Sequence, residues 1–125
     1  MGMVSGQMKC FLDATSSRWM EGKWNSKLAS GFTSSIDLSG DKQSTLSYLV
    51  TFASQHGMIW VSCDVTNGLF QGQSMEEATN RLSSNTGVMS QVNFGYEFSP
   101  TKGDLKTAEL HGLRVATLTN KFCSD

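Results

Sequence analysis

The sequence offers little that would serve nucleic-acid binding or a disulfide framework. It contains one proline and three cysteines in 125 residues, and 10 Lys and Arg against 11 Asp and Glu give a net charge of −1. The basic residues are scattered, so no nucleic-acid-binding surface is indicated. The cysteines are an odd number, Cys10, Cys63 and Cys123, and they lack the spacing of metal ligands. This pattern favours reduced thiols in a cytoplasm over disulfides or a metal site.

Long apolar runs and a targeting segment are also missing. The longest apolar runs, such as Met58–Val61, fall far short of the roughly 18 residues that a membrane span needs. Residues 1–10 have no cationic stretch before an apolar block, so no signal peptide is indicated. We therefore expect a soluble, cytoplasmic protein with no membrane, nucleic-acid or metal partner.

What is present is typical of one small globular domain, with 38% hydrophobic and 17% charged residues. In the first half of the chain, the apolar spacing from Val4 to Leu12 predicts a helix over about 5–15, capped by Ser5. This segment supplies the first helix of a layered fold.

A strand, a helix and a second strand are predicted next. Residues 28–34 form a short segment bounded by polar turns, which predicts a strand. Apolar residues from Leu46 to Ala53 recur with helical spacing and predict a helix over about 41–56. The almost wholly apolar run 58–63 predicts a strand covered on both faces. Tight connections make this a parallel crossover unit, with the two strands adjacent.

The second half of the chain gives weaker patterns. Ser74 and Glu77 have capping-box spacing and predict a short helix over about 75–82, and residues 88–94 predict a short strand. Residues 104–122 predict a terminal helix that buries one side. The residues on that side are Leu105, Ala108, Gly112, Val115 and Ala116. His111, on the same helix, has no identifiable partner and is expected on the solvated surface.

This order of elements indicates an α/β layer architecture with a parallel sheet. A doubly wound sheet of the flavodoxin kind needs five strands in the order 2-1-3-4-5. The sequence supplies two clear strands and one weak one. The remaining strands are therefore missing or supplied by another chain.

Short blocks along almost the whole chain resemble one known family. The blocks are MGMVSGQMK and FLDA in residues 1–14, KLASGFTS at 27–34, GDK and STL at 40–46, QHGMIWV at 55–61, NRL at 80–82, DLKTAE at 104–109 and G-x-RVA at 112–116. Their order and spacing are similar to those of flavodoxin-fold NAD(P)H-dependent FMN and quinone reductases, which are related to the WrbA-type NAD(P)H:quinone oxidoreductases.

The resemblance implies a flavodoxin-like three-layer fold around a parallel sheet. It places this chain in the C-terminal portion of that fold, so that residues 1–125 form a single partial domain. The first three strands, their two helices and the phosphate-binding loop would then be absent.

The resemblance also implies a set of site residues. Those that match the loops along the flavin are Gly2, Met3, Ser34, Ser35, Ile36, Gly40, Asp41 and Lys42. His56 matches a histidine near the flavin and the quinone pocket, where an imidazole could donate a hydrogen bond to a quinone oxygen. Trp19 matches an aromatic residue that reaches toward the active site of a neighbouring subunit.

Each of these residues also has a purely structural interpretation. Residues 34–42 would form an ordinary surface loop, with Asp41 favoured at a helix start by the helix dipole. His56 would interact with the last carbonyls of its helix, and Trp19 would fill the core or an interface. The resemblance favours the interpretation that this loop descends from a flavin-binding loop over the purely structural one.

Two functions of different class follow. One is an NAD(P)H-dependent FMN or quinone reductase, with FMN as cofactor and NAD(P)H as co-substrate. The other is a truncated, non-catalytic flavodoxin-like remnant that acts only as an oligomerising or interaction module. Loss of the phosphate loop would leave FMN binding weak or absent in this chain alone. The uncovered sheet edge predicts a homo-oligomer, a dimer or tetramer.

Overall fold

A computed structural model describes residues 2–93 and 99–122 of the chain. Its helices are α1 (Gly6–Asp13), α2 (Ser16–Met20), α3 (Lys42–Gln55) and α4 (Lys102–Phe122), with a 3₁₀ turn at Gly68–Gln71. Its strands are β1 (Leu28–Ala29), β2 (Phe32–Ser35), β3 (Ile59–Trp60) and β4 (Val88–Gln91). The predicted strand over 88–94 is thus observed up to Gln91, and its last residue, position 94, lies outside the described residues.

All strand pairs are parallel. β1 pairs with β3, with Leu28 opposite Ile59, and β2 pairs with β4 over its whole length. The predicted strand over 28–34 is therefore interrupted at Ser30, and its two halves have different partners. This confirms that segments 28–34 and 58–63 are adjacent parallel strands, although only Ile59–Trp60 of the second segment is regular strand.

Helix α3 connects the two strands, as the apolar spacing predicted. Leu46 and Ala53 face the sheet and are fully buried. The helix ends at His56, and Gly57 follows with a left-handed φ of 67°. The Met58 N–H then donates to the Ala53 carbonyl at 2.9 Å, which closes the last turn.

The first predicted helix, over about 5–15, is confirmed as α1, and a second short helix follows it. α1 begins after Ser5, whose Oγ accepts from the Met8 N–H at 3.2 Å, as predicted for a cap. It ends at Asp13, and a separate helix, α2, carries Trp19. The five residues of α2 are too few to show a periodic pattern, so this helix was not predicted.

The predicted short helix over 75–82 is wrong. Ser74 does begin a turn, because its Oγ and carbonyl accept from the N–H groups of Glu77 and Ala78. The turn does not propagate, because Asn80 and Ser83 have left-handed φ values of 41° and 53°. The segment instead lies against the start of α4, where the Gly103 N–H donates to the Glu76 carbonyl.

Helix α4 buries a face that is rotated by about 100°, or one residue, from the predicted one. Its buried residues are Gly103, Asp104, Thr107 and His111. Of the predicted residues, Val115 is half-buried, Leu105 is 57% exposed, and Ala108, Gly112 and Ala116 are exposed. Polar side chains lie inward because each has a specific partner. Thr107 Oγ1, for example, accepts from the Asn80 N–H at 2.7 Å. The apolar side of α4 is therefore left uncovered within the described chain.

His111 is buried, contrary to its prediction as a surface residue. Its Nε2 lies 2.6 Å from Ser30 Oγ, whose own hydrogen is donated to the Val61 carbonyl at 2.8 Å. Because Ser30 must then accept, Nε2 of His111 carries the hydrogen. Burial, with a smaller contribution from Arg114, lowers the pKa of His111.

Candidate functional site

The loop between β2 and α3, residues 36–41, is the first of two regions that collect predicted site residues. We call it the β2–α3 loop. It is exposed, and its last two residues, Gly40 and Asp41, have left-handed φ values of 51° and 50°. A Cβ on Gly40 would lie 2.0 Å from Ser35 Oγ, so this turn requires glycine.

Lys42, predicted to contact the cofactor, is instead buried beneath this loop with 1% exposure. Its Nζ donates to Ser35 Oγ at 2.8 Å and to the carbonyls of Asp37 and Leu38 at 2.7 and 2.8 Å. An ammonium has three hydrogens, and all are used on these acceptors. Burial lowers the pKa of Lys42, an effect that nearby Asp104 opposes. Direct contact between this ammonium and a ligand is therefore excluded in this arrangement.

Gly2 and Met3, although distant in sequence, lie at the same end of the molecule as the loop. A Cβ on Gly2 would lie 3.9 Å from Asp41 Cβ, and Gly2 itself has a left-handed φ of 72°. Met3 is 53% exposed. Gly2 thus joins the β2–α3 loop at one surface, as the resemblance implies.

The loop's polar groups suit the pyrimidine edge of a flavin. Among the described residues, no acceptor bonds to the N–H groups of Ile36, Asp37, Leu38, Ser39 or Gly40. A flavin's carbonyl oxygens and ring nitrogens need such donors, which also tune its electronics. Ser34, on the preceding strand, is exposed, and its Oγ donates to the Ser90 carbonyl at 3.4 Å. The fit is to the ring edge and not to a phosphate, because the loop's exposed charged side chains are Asp37 and Asp41.

The second region is a cavity of about 650 Å³ between α1, α2 and α3, which we call the Trp19–His56 pocket. Lys9, Tyr48 and Phe52 are among its other lining residues. Trp19 is 55% exposed, and its Nε1–H donates to the Gln55 carbonyl at 2.8 Å. The indole is therefore held at the end of α3 with much of its ring exposed.

His56 lies at the base of this pocket with 7% exposure. Thr15 Oγ1 donates to the Leu12 carbonyl at 2.6 Å, so its 3.0 Å contact to His56 Nε2 is a hydrogen bond donated by the imidazole. Nδ1 is buried without a partner in the described chain. The rings of Trp24 and Phe52 pack against the imidazole at 4.8 and 4.6 Å. Because Nε2 is bonded to Thr15 and Nδ1 is buried, neither ring nitrogen is available to a ligand in this arrangement. Donation to a quinone oxygen stays a prediction, and it requires the imidazole ring to turn.

The two regions lie at opposite ends of α3. The helix has 14 residues and is therefore about 21 Å long at 1.5 Å per residue. The structure thus brings Trp19 together with His56, and Gly2 together with Asp41, but it does not bring the two pairs to one site within a single chain.

Three residues behind the β2–α3 loop were not singled out from the sequence. Arg81 forms a buried, bidentate ion pair with Asp104, with both N–O distances at 3.0 Å. Gln91 connects this pair to the loop, because its Nε2 donates to the Ile36 carbonyl at 2.9 Å. These partners are distant in sequence and no local pattern indicates them.

Other kinds of site find no support in residues 2–93 and 99–122. No group of three or more His, Cys, Asp and Glu side chains is placed there to hold a metal ion. No helix in these ranges is long and apolar enough to span a bilayer.

Comparison with known proteins identifies relatives over nearly the whole chain, although no protein-family model matches it. The chain is 40% identical over 120 residues to flavodoxin FldP of Pseudomonas aeruginosa, covering 94% of this chain and 64% of the relative. It is 34% identical over 121 residues to an NAD(P)H dehydrogenase (quinone) of Syntrophus aciditrophicus, covering 97% and 58%. The chain thus spans about three fifths of the length of these relatives.

A solved structure gives the same result for the fold. The crystal structure of a WrbA-like flavodoxin from Agrobacterium tumefaciens matches with a TM-score of 0.71 at 38% identity. The match covers 97% of this chain and 60% of that one. The chain therefore has a flavodoxin-like α/β fold and is a relative of the WrbA-like flavodoxins and NAD(P)H dehydrogenases (quinone).

Proposed function

We propose that this chain forms part of an FMN-dependent NAD(P)H:quinone reductase, in which the β2–α3 loop contacts the pyrimidine edge of the flavin. The bound flavin would supply two-electron chemistry, accepting hydride from NAD(P)H and passing it to a quinone. The observation that carries this proposal is the row of unpaired backbone N–H groups at 36–40 beside Gly2. The names of the relatives support the reaction class.

Trp19 would serve the site of a second copy of the chain. It lies at the far end of α3 from its own loop, and more than half of its surface is exposed. The hydrogen bond to the Gln55 carbonyl limits rotation of the indole, which suits a rigid wall over a planar quinone. A complete site would then need a homo-oligomer, a dimer or tetramer.

The chain alone would hold FMN poorly. A phosphate monoester carries close to two negative charges, and hydrogen bonds to charged groups contribute about 1.5–3 kcal/mol each. The β2–α3 loop offers no cation for this purpose, since Lys42 is buried and Asp37 and Asp41 are anionic. The phosphate contacts would have to come from outside the described residues.

A non-catalytic interaction module is the second candidate, and exposed apolar surface supports it. Phe32 is 81% exposed on β2, and Leu105 and Leu113 on α4 are 57% and 65% exposed. Where such side chains form a contiguous patch, they would offer a surface to another protein. This module would need neither FMN nor NAD(P)H.

An activity assay separates the two functions. NADH and NADPH oxidation would be followed with benzoquinone and added FMN, for the 125-residue chain alone and co-expressed with the part of FldP that the chain does not match. The reductase predicts activity only in the complemented sample, and a loss of at least tenfold on Trp19→Ala. The matched control is Phe122→Ala, because Phe122 is an aromatic residue of similar exposure that lies in neither region. Absence of activity in a complemented sample that does bind FMN would favour the interaction module.

A further inference from the structure

We propose that Lys42 and Gln91 are positioning residues, which hold the β2–α3 loop with three carbonyls turned inward and the attached N–H groups turned toward the flavin. This inference rests on the proposed flavin contact of the loop. It assigns the two side chains a role in ligand recognition without contact to the ligand.

The inward side of the loop is held by side chains of three elements, β2, α3 and β4. The Ile36 carbonyl accepts from Gln91 Nε2 on β4 at 2.9 Å. The Asp37 and Leu38 carbonyls accept from Lys42 Nζ at 2.7 and 2.8 Å, and the Asp37 carbonyl also accepts from Ser35 Oγ at 2.9 Å. Water could satisfy the carbonyls of an exposed loop equally well, so three successive carbonyls bonded to three side chains define a specific loop conformation.

Peptide geometry fixes what the outward side presents. In a planar trans peptide, the carbonyl of one residue and the N–H of the next point in opposite directions. Because the carbonyls of Ile36, Asp37 and Leu38 point inward, the N–H groups of the residues that follow them, Asp37, Leu38 and Ser39, point outward. These three N–H groups have no acceptor in the described chain.

Gln91 and Lys42, the two anchors of the loop, are themselves held in place by the fold. Gln91 Oε1 accepts from Arg81 at 3.3 Å, and the Gln91 N–H donates to Asp104 at 2.9 Å. The Arg81 and Asp104 side chains are only 4% and 1% exposed. Lys42 is fixed because it begins α3, next to the fully buried Leu46. The loop is thus bonded to rigid parts of the fold on both sides, as a preorganised site requires.

The two anchors make separable predictions. Lys42→Met would release the Leu38 carbonyl and so the N–H of Ser39, and it would leave the Asp37 carbonyl bonded to Ser35 Oγ alone. Within the loop, Gln91→Leu would release only the Ile36 carbonyl and so the N–H of Asp37. It would also remove one acceptor of Arg81, which keeps its ion pair with Asp104. Lys106→Met, which removes an exposed lysine paired with Glu109 on α4, is the matched control.

Amide NMR of the intact 125-residue chain tests this without any catalytic assay. We expect order parameters of about 0.85 for Asp37 to Ser39 in the wild type, falling below about 0.6 at Ser39 in Lys42→Met, with a smaller loss at Leu38 because Ser35 still holds the Asp37 carbonyl. The same amide signals should shift on titration with millimolar FMN. The apparent affinity for FMN that these shifts give should be at least tenfold weaker in Lys42→Met. Lys106→Met should match the wild type in both measurements.

The outcomes distinguish this inference from the proposed function. Unchanged order parameters and FMN shifts in a folded Lys42→Met chain would overturn the positioning role. Wild-type amides that are ordered but unaffected by FMN would overturn the proposed flavin contact while leaving the anchoring supported. If Lys42→Met does not fold, Gln91→Leu decides, because loss of order confined to Asp37 supports the inference and its absence refutes it.

Discussion

Ser30 Oγ and His111 Nε2 lie 2.6 Å apart, and this hydrogen bond joins α4 to the point where one strand segment changes partner from β3 to β4. Ser30 uses its hydrogen on the Val61 carbonyl, so the imidazole donates from Nε2 and leaves Nδ1 unprotonated. That nitrogen is buried without a partner in the described chain. Protonation of Nδ1 would therefore place a positive charge at a buried position near Arg114.

Acidification should destabilise the fold through His111. Its pKa is lowered in the folded state by burial and by Arg114, from an ordinary value of 6.5. Between the two pKa values the unfolded chain binds more protons, so the free energy of unfolding falls as the pH drops below 6.5. Urea unfolding at pH 7.5 and 5.5 measures this. His111→Gln should lose part of the pH dependence, and an identical profile in the variant would contradict the assignment.

The buried Arg81–Asp104 pair should be essential to stability. Asp104→Asn leaves a guanidinium buried without its counter-charge, for which we expect a loss of about 3–5 kcal/mol in the free energy of unfolding. The matched control is Asp64→Asn, because Asp64 pairs with Arg114 but its side chain is 75% exposed. That change should cost about 0–1 kcal/mol. Equal effects of the two substitutions, measured by urea unfolding, would contradict the buried pair.

Glycine at position 40 should be required by the β2–α3 loop. Gly40→Ala places a methyl group 2.0 Å from Ser35 Oγ at a left-handed φ of 51°. The backbone strain alone costs roughly 1–2 kcal/mol, and Ser35 must also shift away from Lys42. Gly112→Ala, where nothing lies within 4 Å, should instead stabilise α4 by about 0.5–1 kcal/mol. Thermal unfolding of both variants checks the opposite signs, and a neutral Gly40→Ala would refute the loop geometry.

Self-association should follow from the uncovered surfaces. Phe32 on β2 and Leu113 on α4 are 81% and 65% exposed, and Phe70 in the 3₁₀ turn is 85% exposed. We expect a homodimer in sedimentation velocity at low micromolar concentration. Phe32→Ser should shift the distribution toward monomer if β2 lies in the interface. A single 13.6 kDa species in the wild type would refute the prediction.

The elements predicted well are those whose patterns are local. α3 has helical apolar spacing and a glycine stop at Gly57, and tight connections to its flanking strands impose the parallel pairing. α2 was missed because it is only five residues long. The helix over 75–82 was wrongly predicted because a left-handed residue such as Asn80 leaves no mark in hydrophobic spacing.

The exposed side of α4 shows a different limit. Sequence patterns place apolar residues inward, yet Asp104, Thr107 and His111 face the core. Their partners, such as Arg81 for Asp104 and Ser30 for His111, are 23 and 81 residues away in sequence. Specific polar pairing over such separations outweighs amphipathic spacing and cannot be read from one helix.

The resemblance predicted the residues of the candidate site, and their contact with a flavin stays a prediction. That prediction located the β2–α3 loop and its proximity to Gly2, but it placed Lys42 among residues in contact with the cofactor. The groups that bond Lys42 Nζ are two backbone carbonyls and the Ser35 hydroxyl. Backbone carbonyls occur at every position and therefore leave no signal in the sequence. The direction of this side chain therefore became apparent only in the folded loop.

The visible absorbance of the purified 125-residue chain, before and after dialysis against FMN, tests the central claim most directly. The claim is that the chain provides contacts to the flavin ring edge and lacks those to the phosphate. We predict a colourless chain that retains well under one tenth of an equivalent of FMN, because several charge-assisted bonds of about 1.5–3 kcal/mol each are missing. Near-stoichiometric bound FMN in the isolated chain would contradict this account.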